Sequence, residues 1–224
     1  MNISVLGTGT AGRTLAAALA GHGHHLVMGT RDPEGTLART APDQHATFAG
    51  WQTDHKTIRL TGYADAAADG EIIVNATNGL HSVAALTAAG AGNLAGKILI
   101  DIANPLDFSH GMPPSLDPVN TDSLAEQIQR TFPEAKVVKT LNTMSAAVMV
   151  NPRSVAGGEH SVFVSGNDAR AKATVAALLE VLGHRDVIDL GDITTARGTE
   201  MLLPVWLQLW GSLGTMAFNF KIAR

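Results

Sequence analysis

The sequence predicts an α/β fold: a doubly wound, mostly parallel sheet with a small C-terminal α/β extension and a buried C-terminal helix. Three observations predict it. Short apolar runs rich in Val and Ile alternate with helical patterns through the first half of the 224 residues, as βαβ units require. A glycine-rich turn, Gly7-Thr8-Gly9-Thr10-Ala11-Gly12, stands between the first such run and the first helical pattern. A nearly continuous apolar segment, residues 201–220, follows the last strand pattern. The strand–turn–helix context of the glycines makes the predicted fold Rossmann-type.

Taken in order, residues 3–6 read as a buried strand. Residues 12–20 form an alanine-rich helix closed by Gly21 and Gly23. A second strand covers 25–28, a weaker third 57–60 and a strong fourth 71–76. Residues 80–89 read as a helix and 97–102 as the fifth strand. The polar stretch 41–55, with Trp51 inside it, reads as an insertion. Residues 104–120 hold Pro105, Pro113, Pro114 and Pro118 and must form a loop. Thr121 or Asp122 is expected to cap a helix that runs to Arg130. Strands six, seven and eight fall at 136–141, 161–165 and 186–190. Between the last two lies an amphipathic helix, 168–182, with Asn167 as its N-cap and Gly183 at its end. The expected division is a nucleotide-binding domain over 1–141. A smaller C-terminal domain over 142–224 then completes the substrate pocket and the dimer interface.

Composition bounds the function. With 45% hydrophobic residues, the chain can bury one sizeable core. A net charge of -4 argues against wholesale nucleic-acid binding, which needs a basic surface. There is no cysteine, hence no disulfide, thiolate nucleophile or Cys-ligated metal. No charged segment with an apolar core precedes the first strand, so no export signal is expected, and a cytoplasmic location is. Pro204, Gln208, Gly211, Ser212, Gly214 and Thr215 interrupt the apolar segment 201–220, which favours a buried helix over a membrane span.

Gly7, Gly9 and Gly12 spell G-x-G-x-x-G, while Gly7, Gly12, Arg13 and Thr14 nearly spell the triphosphate loop G-x-x-x-x-G-K-T. Both devices hold phosphate on backbone N–H groups at a helix N-terminus. Arg13 stands where the triphosphate loop needs Lys, and no convincing apolar strand ends in a Mg-binding Asp. Ile100-Asp101 is the nearest, and it is expected to be buried beside the cofactor loop. The dinucleotide is therefore favoured. Its identity is read at the tip of the second strand, Val27-Met28-Gly29-Thr30-Arg31. An NAD site carries a carboxylate there for the ribose hydroxyls. Here Thr30 can donate to a phosphate oxygen, and Arg31 offers it a planar cation. Asp32 is expected to turn away and cap a helix beginning near Pro33. These residues point to NADP(H).

At this point the sequence resembles the NADPH-dependent reductases of the 8-hydroxy-5-deazaflavin coenzyme, whose domain also occurs in the cytoplasmic part of membrane metalloreductases. The resemblance rests on Gly7 to Gly12 and on Gly29-Thr30-Arg31. It rests also on Val137-Val138-Lys139-Thr140-Leu141-Asn142-Thr143, and on Gly191-Asp192-Ile193-Thr194-Thr195-Ala196-Arg197 with the apolar helix after it. It implies NADP(H) at the carboxyl ends of the strands, with the deazaflavin ring over the nicotinamide. Cofactor contacts are then expected from Gly7, Thr8, Gly9, Thr10, Ala11 and Gly12. Thr30 and Arg31 are expected on the phosphate, Ala76 and Thr77 beside the ribose or nicotinamide, and Asn104 and Pro105 beside the nicotinamide. Asn142, Thr143 and Met144 are expected to line the second substrate's pocket. Two departures fall in that region. Archaeal members carry His at the position of Asn142, and the loop 106–120 is longer here.

No acid–base pair stands out, which suits hydride transfer between two rings held close and dry. A flavin, quinone, imine or carbonyl acceptor, or a non-catalytic NADPH sensor, stays open as an alternative. His22, His24 and His25 read as a solvated turn without zinc spacing. His81 is expected near the nicotinamide or simply in a first helical turn. His110 is expected to be exposed in the proline-rich loop. The C-terminal helix is apolar on nearly every face, which predicts that it packs on a second copy of the chain.

Overall fold

The computed structural model describes residues 1–42 and 46–224; the expected insertion includes Asp43, Gln44 and His45, which lie outside the described residues. Eight strands form one sheet: β1 Asn2–Leu6, β2 His25–Thr30, β3 Arg59–Gly62, β4 Ile72–Asn75, β5 Ile98–Asp101, β8 Lys136–Thr140, β9 Ser161–Gly166 and β10 Asp186–Gly191. Two short strands, β6 Leu106–Asp107 and β7 Ser115–Leu116, pair separately inside the proline-rich loop. The order across the main sheet is β10-β9-β8-β5-β4-β1-β2-β3. Its half from β3 to β8 has the doubly wound order, with the crossover reversing between β1 and β4. Within the main sheet every pair is parallel except β8 with β9; β6 and β7 pair antiparallel.

Alternation along each strand explains why the sheet is covered on both faces. Val5, Val74, Ile100 and Val138 enter one apolar cluster; their neighbours Leu6, Ile73, Leu99 and Val137 enter another. The first face is covered by α1 Thr10–Gly21, α8 Ala146–Val150 and α9 Ala169–Val181, through Leu15, Leu19, Val148, Val175 and Leu179. The second is covered by α4 Tyr63–Asp69, α5 Ser82–Ala89, α6 Ala91–Leu94 and α7 Leu124–Thr131, through Ala66, Leu86, Leu94 and Ile128.

Local chemistry moves several boundaries. The α7 cap is Ser123 rather than Thr121 or Asp122: the Glu126 amide donates to its hydroxyl. Asp122 instead takes both guanidinium nitrogens of Arg130. Asp168, not Asn167, caps α9, while the Asn167 amide oxygen accepts from Ile193 N. The expected insertion holds α3 Phe48–Asp54, whose Trp51 stacks on His55. A short 3-10 turn, Gly79–His81, precedes α5.

After β10, α10 Ala196–Met201 and α11 Leu203–Leu213 follow. The burial expected of the C-terminal helix is only partly met within one chain. Leu203 and Trp206 are buried, whereas Val205, Trp210 and Leu213 are 47%, 40% and 56% exposed. The last residues then run back along β9, where Ser161 N donates to Phe220 O and Ile222 N to Ser161 Oγ. Among the described residues, no helix is long and apolar enough to cross a membrane.

Candidate functional site

The carboxyl ends of β1, β2 and β4 open into a cleft of about 890 Å³. Its floor is the glycine turn. Gly7 holds φ at +114°, a region that L side chains avoid, and its amide donates to Gly29 O. A Cβ on Gly7 would lie 2.4 Å from Ala76 O, and one on Gly12 2.3 Å from Gly7 O. These two glycines let the turn, the β4 tip and α1 close on one another. Gly9 differs: a Cβ there would meet no protein atom within 4 Å. It faces open space at the start of α1, which has no capping side chain, so its first-turn N–H groups remain available to a ligand. That cradle fits the pyrophosphate of a dinucleotide.

Gly7, Thr8, Gly9, Thr30, Arg31, Ala76 and Thr77, all expected at the cofactor, line this cleft together. Thr10 and Ala11 line a second, adjoining groove, and Gly12 is buried beneath the turn. Thr30 shares a 3.0 Å hydrogen bond with Thr36. Arg31 is exposed and has no acidic partner among the described residues. Asp32 caps α2 Pro33–Leu37 by accepting from Gly35 N, which turns its carboxylate to the helix. Arg13 donates to Ala46 O and Thr47 O, away from the position a triphosphate-loop lysine needs.

Sequence reasoning missed Arg39 and Tyr63. Arg39 brings a second guanidinium to the cleft from beyond α2, with no acidic partner among the described residues. Nothing in its polar surroundings distinguishes it before folding. Tyr63 lines the same wall; burial pushes its hydroxyl pKa up, and the Arg31 guanidinium partly opposes that. His81 also lines the cleft, while His110 is exposed in the loop, as expected.

The residues expected on the nicotinamide side lie lower. Asn104 and Asn142 exchange amide bonds: Asn104 Nδ2 to Asn142 O at 2.8 Å, and Asn142 Nδ2 to Asn104 Oδ1 at 2.9 Å. Asn142 also donates to Thr199 O. Pro105, Asn142, Thr143 and Met144 are buried in the single chain, so the open wall begins at Ser145. The groove there runs between Thr10, Thr14, Ser145, Val148 and Thr215, and no charged side chain among the described residues lines it.

Beneath the cleft lies a buried polar network that sequence reasoning left unassigned, although Lys139 in an otherwise apolar strand was its visible sign. Lys139 Nζ contacts Asp101 Oδ2 at 2.8 Å, Glu200 Oε1 at 2.9 Å and Ala103 O at 2.5 Å. Burial pushes the Lys139 ammonium pKa down, but Asp101 and Glu200 more than offset this and leave it raised. Asp101 is thus a buried lysine partner, as far from a Mg ligand as its position suggested.

The model of the NADP oxidoreductase coenzyme F420-dependent family matches residues 2–105. A solved structure from Arthrobacter sp. FB24, provisionally assigned as an F420-dependent NADP-reductase, is 71% identical. It superposes with a TM-score of 0.97, and 99% of each chain is covered. The F420-dependent NADP reductase of Methanocaldococcus jannaschii is 26% identical over 211 residues, which cover 93% of this chain and 92% of that one. Metalloreductase STEAP3 of Rattus norvegicus is 30% identical over 211 residues. That match covers 91% of this chain but 37% of the metalloreductase, so the chain spans well under half of that relative. The chain belongs to the F420-dependent NADP oxidoreductase family.

Proposed function

We propose that the chain is an oxidoreductase that transfers a hydride between NADP(H) and a deazaflavin coenzyme. The observation that carries the cofactor half is the pair of guanidiniums, Arg31 and Arg39, without an acidic partner among the described residues, beside a β2 tip whose Asp32 carboxylate is turned into a helix cap. A 2′-phosphate suits that surface; a bare ribose leaves two cations unmatched. Gly9, Thr8 and the open start of α1 take the pyrophosphate. The glycine-rich floor and the tips of β4 and β5 direct the nicotinamide toward the uncharged groove beside Ser145. That groove suits a flat ring that must approach the nicotinamide with water excluded. Asn142, Thr143 and Met144 support its wall from behind.

When bound, the nicotinamide supplies the hydride and solvent the accompanying proton: NADPH, oxidised deazaflavin and H⁺ give NADP⁺ and the reduced deazaflavin. The side chains bind and orient, and none is assigned as an acid or base. The test mixes purified protein with NADPH and oxidised F420 and follows both absorbances. The expected result is stoichiometric, enzyme-dependent loss of both. NADPH that binds but is not consumed overturns the acceptor assignment and favours a sensor. In the same reading, residues 142–224 form the smaller unit, and the exposed face of α11 is covered by a second copy in the cytoplasm. Light scattering that reports a monomer contradicts the second copy.

A further inference from the structure

We infer that Lys139 is a positioning residue: through Asp101 and Asn75 it holds Thr77 in the cleft floor and ties that floor to α10. The inference rests on the proposed cofactor. It is carried by a chain of hydrogen bonds with no exposed link before its end. Lys139 and Asp101 side chains are 0% exposed and Glu200 2%. The second oxygen of Asp101 accepts from Asn75 Nδ2 at 2.8 Å and from Ala103 N at 3.2 Å. Asn75 Nδ2 also donates to Ser82 Oγ. This fixes which way the Asn75 amide faces, so that its oxygen accepts from Thr77 Oγ1 at 2.7 Å. Thr77 is the link that meets the cleft.

At the other end, Glu200 accepts from Leu124 N and Ala125 N at the start of α7. The preceding residue, Thr199, accepts from Asn142 through its carbonyl. Two successive residues of α10 therefore bond to the start of α7 and to Asn142. Apolar side chains of equal volume would serve stability as well or better than a buried ion cluster. What they cannot do is orient Asn75. Without the ammonium, Asp101 is a buried charge with no cation beside it. Either it takes up a proton, and one of its two acceptor oxygens becomes a donor, or it turns away. In each case the Asn75 bond to Asp101 is weakened or lost, and Asn75 and Thr77 are left with Ser82 Oγ as their shared anchor, a looser hold on Thr77.

The experiment compares Lys139→Met and Thr77→Val by calorimetry with two ligands, NADPH and adenosine 2′,5′-bisphosphate, which lacks the nicotinamide half. Both variants are expected to weaken NADPH by about tenfold, the worth of a lost buried hydrogen bond or two. Both should keep the bisphosphate within about twofold of wild type, because Arg31 and Arg39 are untouched. Thr77→Ser should restore NADPH binding. A merely structural lysine weakens both ligands together, and that outcome overturns the inference, as does no change in either. If Lys139→Met fails to fold, Thr77→Val decides alone, since Thr77 lies at the cleft and not in the core. If the wild-type protein does not bind the bisphosphate, the cofactor reading falls and takes this one with it. If it binds and the variants show no split, only the positioning role falls.

Discussion

Replacing Arg31 by Ala tests the cofactor assignment most directly. The substitution removes one of two guanidiniums from the adenosine end of the cleft and leaves Arg39. Arg31 holds no ion pair among the described residues, so its loss strands no buried partner there, and the fold should be spared. Hydrogen bonds to charged groups contribute about 1.5–3 kcal/mol each. The site is open to solvent, so the lower half of that range applies, roughly a tenfold to fortyfold weaker NADPH complex. NADH carries a neutral 2′-hydroxyl in place of that phosphate and should change by less than about twofold. Screening gives a second signature. At about 0.1 M salt the Debye length is about 10 Å and at 1 M about 3 Å, so the loss should shrink as salt rises. Adding Arg39→Ala should deepen the loss by less than the sum of the two single effects, because both cations address one phosphate. Calorimetry with both nucleotides at two ionic strengths reads all of this. Equal weakening of NADH and NADPH refutes the assignment of the 2′-phosphate to this corner.

Two further outcomes follow from the glycine turn and from the start of α7. Gly12→Ala puts a methyl 2.3 Å from Gly7 O, a backbone atom that cannot step aside, so it should cost about 1–3 kcal/mol of stability and nucleotide affinity as well. Gly9→Ala meets no protein atom, so its thermal midpoint should stay near wild type while NADPH weakens; unchanged NADPH affinity would count against a pyrophosphate there. Burial raises the Glu126 carboxyl pKa, but bonds from Arg197 and Ser123 more than offset it and leave it lowered. Its stabilising contribution is thus present above the unfolded carboxyl pKa of about 4.3 and is lost as pH falls through the folded value. Glu126→Gln should flatten that acid limb and lower stability at pH 7 by about 1–3 kcal/mol in urea titrations; an unchanged acid limb refutes the linkage.

The fold was legible where period and punctuation agree. Alternating Val and Ile runs located all eight main strands to within about two residues, and the glycines at 7, 9 and 12 located the cleft. Asp32 was legible as a cap because Pro33 follows it. Caps after loops were less so: Thr121, Asp122 and Ser123 are all good caps, and only the ion pair of Asp122 with Arg130 decides among them. Arg39 could not be located, since nothing local says where a loop beyond α2 returns. The partners of Lys139 could not be paired either. Asp101 and Glu200 come from distant parts of the chain and meet only because β5 and β8 are neighbours and α10 packs against α7.

The antiparallel pairing of β8 with β9 in the main sheet explains how the chain builds the groove beside Ser145. A parallel continuation after β8 would carry the chain across to the amino-terminal edge of the sheet before the next strand could begin. Instead Val138 pairs with Gly166 and Thr140 with Val164, so β9 begins beyond the carboxyl end of β8. Everything between them stays on the edge where the cleft opens. That includes Asn142, bonded to Asn104, and Ser145 to Val148, which face Thr10 and Thr14. The later crossover through α9 makes β10 parallel to β9, and Ile193 and Ala196 then lead α10 along the face covered by α7. Glu200 arrives at Lys139 by that route. Residues 215–217 finally close the groove from the far side. The cleft and the groove therefore adjoin where Gly9, on the cleft, is followed by Thr10 and Ala11, on the groove, and the Asn104–Asn142 pair ties the segment after β5 to the segment after β8. A change that loosens β9 from β8 should leave adenosine binding intact while it damages the acceptor's wall.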